Sequence, residues 1–101
     1  MTIRFEWDER KNRTNQRKHG VSFEVAARVF LDPRNVSRQD RMEGGEHRWQ
    51  TSGLTGGFPL LVVVHTATEI DEDGEVVEII RIISARRANR QERRRYEEEN
   101  D

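Results

Sequence analysis

Two apolar runs limit what this chain can fold into. Leu60-Leu61-Val62-Val63-Val64 and Ile79-Ile80-Arg81-Ile82-Ile83 are short, mostly β-branched and nearly free of polar interruption. Such runs belong to central, buried strands. The pattern predicts strands over Phe58 to Thr66 and over Val76 to Ala85, joined by an acidic turn at Asp71-Glu72-Asp73-Gly74. Only 33% of residues are hydrophobic against 37% charged, so these two strands must form the centre of an economical core.

The remaining elements follow from local signals. Ile3, Phe5 and Trp7 alternate with Arg4 and Glu6, the period of a half-buried strand. Asp8 suits the N-cap of a polar helix reaching about Lys18, which Gly20 can close in a left-handed conformation. Ser22 caps a second helix whose Phe23, Ala26, Ala27 and Phe30 recur at helical spacing, and Asp32-Pro33 stops it. A short extended piece, Asn35 to Arg38, leads to a loop over Asp40 to Gly45. His47 to Leu54 reads as a strand with Trp49 as its apolar anchor, and Gly56-Gly57 as a hairpin turn. Asn89 with Glu92 forms a capping-box pattern that opens a last helix running towards Glu99. The order is β-α-α-β-β-β-β-α, an α+β fold with helices packed on an antiparallel sheet. A chain of 101 residues makes one domain, 1–101.

The formal net charge of -1 conceals a segregation of charge. Every ionisable residue from Glu69 to Glu78 is acidic, whereas from Arg81 to Arg95 all but Glu92 are basic. A polyanion responds to the local patch, so the average does not exclude nucleic acid. There is no cysteine, and His19, His47 and His65 form no helical pair; nothing calls for a metal or another cofactor. No apolar stretch approaches a transmembrane span, and Met1 to Glu6 lacks the apolar centre of a signal peptide. A cytoplasmic protein with no membrane contact is expected.

Three clusters offer chemistry. Arginine donates paired hydrogen bonds from a planar fork that keeps its charge, which suits phosphate. Arg86 and Arg87 leave the last strand, and Arg90, Arg93, Arg94 and Arg95 follow on the helix. Glu92, Arg93 and Tyr96 lie near one another on it. Tyr96 could stack on a base or carry a proton; alternatively it packs the helix on the sheet while the arginines pair with Glu97 to Glu99. Alternation is expected to turn Ile80, Ile82 and Ser84 one way, with Arg81 and Ile83 opposite. The second cluster joins Lys11, Asn15 and Lys18 on one helix face, with His19 at the helix end, where the dipole favours a cation. It reads either as a phosphate site beside an imidazole or as a solvated face with a capping histidine. The third is Arg48, opposite in direction to Trp49, which either pairs with Glu46 or contributes to a basic surface.

Phe5-Glu6-Trp7-Asp8 with Lys18-His19-Gly20-Val21, Glu46-x-Arg48-Trp49, Leu61 to Thr66, Ile79 to Ala88 and Glu92-Arg93-Arg94-x-Tyr96-Glu97 together resemble the BrnT toxin family, in order and over Phe5 to Glu97. The resemblance implies a RelE-like fold and a ribonuclease toxin of a type II toxin–antitoxin pair. It also implies a BrnA-type antitoxin with a ribbon-helix-helix DNA-binding part, in a heterotetramer of two toxins and two antitoxins that represses its own operon. DNA would then be met only through the antitoxin. Gln50 and Ser52 depart from the apolar or β-branched residues common there, and Thr68 to Val76 makes a longer, more acidic hairpin than expected.

Both lines suggest RNA cleavage by attack of the ribose 2′-hydroxyl, without metal or cofactor. That reaction needs a base, an acid and cations for the phosphate. The catalytic set expected is Lys18, His19, Arg48, Arg86, Arg93 and Tyr96, with Lys11, Asn15, Arg87 and Arg90 binding RNA. His19 is the expected proton-transfer group because imidazole titrates near neutral pH. The competing readings are a RelE-fold toxin aimed at a protein such as DNA gyrase, and a nucleic-acid-binding module that does not cut.

Overall fold

A computed structural model describes residues 2–101. Strand β1 (Thr2–Glu6) is followed by helix α1 (Glu9–His19) and a single α-helical turn, α2 (Phe23–Ala26), which tightens into a 3-10 helix over Ala27–Leu31. Strands β2 (Val36–Glu43), β3 (Glu46–Gly53), β4 (Leu61–Glu72) and β5 (Glu75–Arg87) come next, then helix α3 (Arg90–Glu99). This is the α+β order read from the sequence. The sheet order is β1-β5-β4-β3-β2. β2 to β5 form an antiparallel meander, and β1 joins its far edge parallel to β5.

The caps form where local chemistry placed them. The Asp8 side chain accepts from the Arg10 amide, Ser22 from Val25, and Asn89 from Glu92 in a complete capping box. Gly20 closes α1 at φ 72°, the left-handed region open to glycine without strain. Several boundaries differ from expectation, and β5 continues to Arg87, two residues past its predicted end. The second helix is 3-10 from Ala27, so its buried stripe is Phe23, Ala26 and Val29, spaced by three, in place of the predicted stripe ending at Ala27 and Phe30. The expected loop over Asp40 to Gly45 is mostly strand, turning only at Gly44-Gly45; pairing with β3 imposes extension on a charged segment without apolar alternation. β4 runs to Glu72, six residues beyond the predicted end.

The main core lies on one sheet face. Phe23, Ala26 and Val29 pack on Leu61, Val63, Ile80, Ile82 and Ala85, with Phe5 and Phe30 at the margin. A smaller cluster of Leu60, Val62, Ala88 and Tyr96 lies on the other face under α3. Between them is a β-bulge. Val64 faces Ser84 but His65 faces Ile82, so Ile83 is an extra residue in β5. The bulge overturns the expected alternation: Ile80, Ile82 and Ala85 share the core face, and Arg86 turns to the α3 face opposite Val62.

Candidate functional site

Arg86 and Glu92 form the best-defined polar contact on the α3 face. The guanidinium donates to both carboxylate oxygens, at 2.7 and 2.9 Å. The hydrogen bond from Arg86 is the main reason that Glu92 lies below the usual carboxylate range, and the pairing raises the Arg86 pKa in turn. The same carboxylate accepts from the Asn89 amide, so the helix cap holds the acid that holds the arginine. Arg86 is therefore partly neutralised inside the fold.

Tyr96 is buried on the inner side of α3, and its hydroxyl donates to Asp32 at 2.6 Å. Burial first, then this hydrogen bond, pushes the phenol up to about 12. Burial acts to raise Asp32, but hydrogen bonds from the Leu54 amide, the Tyr96 hydroxyl and the Arg34 amide outweigh it and hold the carboxyl low. A phenol so resistant to ionisation, already donating to a carboxylate, is poorly suited to shuttling protons at neutral pH. Tyr96 clamps α3 to the end of the 3-10 helix, the packing alternative weighed in the sequence.

Lys18 and His19 lie elsewhere, at the end of α1. With Arg10, Lys11, Thr14 and Ser84 they line an open groove of about 300 Å³ against the edge of β5. Asn15 forms part of that groove wall, yet its amide is committed. It donates to Val21 O at 2.9 Å and Ala85 O at 2.8 Å, and accepts from the Ala85 amide at 3.2 Å. β1 pairs with β5 only as far as Arg81, and the Asn15 side chain takes over as a substitute strand four residues later. Both amide donors are used, so Asn15 builds the groove and has no donor left for RNA.

The two predicted walls do not form one pocket. Arg86, Glu92 and Tyr96 meet under α3; Lys18 and His19 meet at the β5 edge. They are joined by β5 itself, because Ser84 borders the His19 groove and Arg86 lies two residues further along the strand. Arg48 does not pair with Glu46. It reaches across the hairpin to Glu43 at 3.2 Å, and its Nε is buried without a partner among the described residues. Arg87, Arg90 and Arg93 are exposed, and alternation puts Arg87 on the face away from Arg86.

Strand register brings in arginines that the sequence did not single out. Arg38 on β2 is opposite Gln50, and with Gln50, Ser52 and Arg95 it borders the cleft next to Glu92 and Tyr96. Arg81 is opposite Thr66, which shares its face with Val62 and Val64. Arg48 shares that face with Gln50. Arg38, Arg48, Arg81 and Arg86 thus lie on one side of the sheet, and among the described residues Arg38 and Arg81 pair with no carboxylate.

The profile of the family described as "Ribonuclease toxin, BrnT, of type II toxin-antitoxin system" matches residues 7–92. The chain belongs to the BrnT family. The fold agrees with a crystal structure of the Brucella abortus ribonuclease toxin BrnT, at a TM-score of 0.57 and 23% identity, over 89% of this chain and 100% of that one. No curated protein sequence matches the chain.

As a BrnT-family ribonuclease toxin the chain has RNA as its substrate and an antitoxin as its partner. Among the described residues no helix is long and apolar enough to cross a membrane. Two features of this BrnT fold were missed in the sequence. The sequence signals Asp32 only as a helix stop, and nothing local to it points to the distant Tyr96 hydroxyl that it accepts. The Arg86–Glu92 pair had a local signal, since the capping-box acid lies six residues after a strand-end arginine.

Proposed function

We propose that this toxin cuts RNA across the end of β5, without a metal. His19 takes or returns the proton, while Lys18 and the sheet-face arginines bind phosphates on either side. The ribose 2′-oxygen attacks the adjacent phosphorus and the bond to the 5′-oxygen breaks. The products are a 2′,3′-cyclic phosphate and a 5′-hydroxyl. The carrying observation is the placement of Lys18 and His19 in one groove with Ser84, two residues from Arg86. Residues i and i+2 of a strand are about 7 Å apart, so one RNA strand crossing β5 can meet both groups.

Charge growing on the phosphate is stabilised by fixed donors. Arg86 supplies a guanidinium whose direction is set by Glu92, and Arg38 and Arg81 supply cations that form no ion pair among the described residues. Arg48, held by Glu43 through Nη1, adds charge to the same face. Lys11, Arg87, Arg90 and Arg93 extend the basic surface for flanking nucleotides. Tyr96 serves in this reading as a positioning residue. The resulting loss of cellular RNA would stop translation and growth in the cytoplasm. A BrnA-type ribbon-helix-helix antitoxin would neutralise the toxin in a two-plus-two heterotetramer that represses the operon.

The test is cleavage of total RNA and of a synthetic oligonucleotide by the antitoxin-free chain in excess EDTA. We expect cyclic-phosphate ends, and at least a hundredfold slower cutting by His19→Ala or Arg86→Ala in folded protein, in line with the usual contribution of a proton-transfer group. Undiminished cleavage by His19→Ala sinks its assignment, and loss of activity in EDTA sinks metal independence. Intact RNA together with blocked replication would move the target to a protein such as DNA gyrase.

A further inference from the structure

β4 outruns β3, its neighbour on one side. β3 pairs with β4 only from Gly53 opposite Leu61 to Trp49 opposite His65, whereas β4 continues to Glu72. From Thr66 to Glu72 the strand has β5 on one side and, among the described residues, no ladder partner on the other. Such an edge is a template for another strand unless its charges repel one. Here the charges are of one sign, Glu69 and Asp71, with Glu72 already paired to Arg4, so they discourage acidic or identical edges and favour a basic one.

A groove of about 450 Å³ opens beside this edge on the core face. Phe30, Trp49, Ala67 and Ile80 give it apolar surface, and Ile3, 45% exposed, forms its outer wall. Glu69 and Glu78 stand on the rim, and among the described residues no lysine or arginine lines it. Its floor is fixed by a chain in which the exposed Ser37 meets the buried Thr51 at 2.8 Å and Thr51 meets His65 Nε2 at 2.7 Å. His65, held below its usual pKa by burial, adds no positive charge to it. An open apolar groove with an acidic rim, next to an unpaired strand edge, fits an extended basic peptide.

We propose that the β4 edge and this groove dock the antitoxin. A segment of the antitoxin adds to β4 as a strand, sends alternate apolar side chains into the groove, and sets lysines or arginines against Glu69 and Glu78. The inference rests on the type II partnership and not on the cleavage chemistry. It gives the acidic hairpin a role separate from the arginine face and the His19 groove.

Hydrogen exchange on the complex with the cognate antitoxin reads the edge directly. Outward-pointing amides between Thr66 and Glu72 should gain about tenfold or more protection over the free toxin. Protection confined to α1, α3 and the arginine face overturns the proposal. The double variant Glu69→Lys/Glu78→Lys should bind antitoxin about tenfold or more weakly in titration calorimetry, while its RNA cleavage stays at the wild-type rate. Unchanged affinity overturns it. So does self-association of the free toxin that protects these same amides and excludes the antitoxin, since the occupant is then a second copy. If the chain cuts no RNA, exchange and titration still decide the docking surface. If the double variant fails to fold, exchange on the wild-type complex decides alone.

Discussion

The Tyr96 hydroxyl donates to Asp32 across 2.6 Å, linking residues 64 positions apart. Asp32 also accepts from the amides of Arg34 and Leu54, both at 2.8 Å. One carboxylate thus gathers the end of the 3-10 helix, the exit from β3 and the last helix. Tyr96→Phe should cost about 1–2 kcal/mol, read as a lower urea midpoint with unchanged slope. The pH profile of RNA cleavage should keep its shape; loss of one limb in this variant would return Tyr96 to proton transfer.

The same carboxylate sets an acid limit on stability. Its pKa is depressed in the folded state, so its contribution is present above the unfolded carboxylate value and is lost as pH falls through the lower folded value. Glu92, depressed first by its hydrogen bond from Arg86, acts in the same direction. Urea midpoints should therefore fall below about pH 4. Asp32→Asn should be less stable at neutral pH and show a flatter acid limb. An identical acid limb in that variant would remove Asp32 from the account.

Asn15→Ala removes every hydrogen bond that the Asn15 amide makes to Val21 and Ala85. Leaving those buried backbone groups unpaired should cost about 3 kcal/mol. Asn15→Asp should be no better, because it keeps the acceptor, loses both donors and buries a charge. Amide exchange at Ala85 should accelerate in both variants. If Asn15→Ala instead weakens RNA binding at unchanged stability, the side chain contacts substrate after all.

Binding of an RNA blocked by a 2′-deoxy substitution should weaken linearly on a log–log salt plot. Each phosphate contact adds about 0.7 to the slope for a single strand. Arg38→Ala and Arg81→Ala should each reduce the slope by about that amount, because neither cation forms an ion pair among the described residues. Arg4→Ala should leave it unchanged, since Arg4 is spent on Glu72 at 3.0 Å. Equal effects of all three would mean that the sheet face acts as a diffuse field and not as a set of contacts.

Signals confined to a few neighbouring residues were legible in the sequence. Asp8, Gly20, Ser22 and Asn89 act within one turn, and Leu61 to Val64 can satisfy their side chains only inside a sheet. Longer-range outcomes were hidden. The extent of β2 depends on β3, because Arg38 to Glu43 carries no apolar alternation of its own. The engagement of Asn15 depends on Ala85, 70 residues away. The run Ile79 to Ile83 shows that a buried strand exists, but four isoleucines around one arginine do not reveal which residue is unpaired. The expected alternation erred at that point: it put Ser84 on the face of Ile80 and Ile82, where the bulge places Ala85. The family resemblance supplied fold and activity, but the grouping of side chains had to come from register.

The bulge at Ile83 also bears on how such a chain can change over generations. Substitutions along β5 alter one side chain at a time and leave each neighbour facing as before. Gain of a single residue between Ile82 and Arg86, with the bulge kept, would exchange the two sides for everything that follows, sending a guanidinium towards Phe23 and Val29 and an alanine towards Glu92. The length of this segment should therefore tolerate less variation among descendants than its composition does.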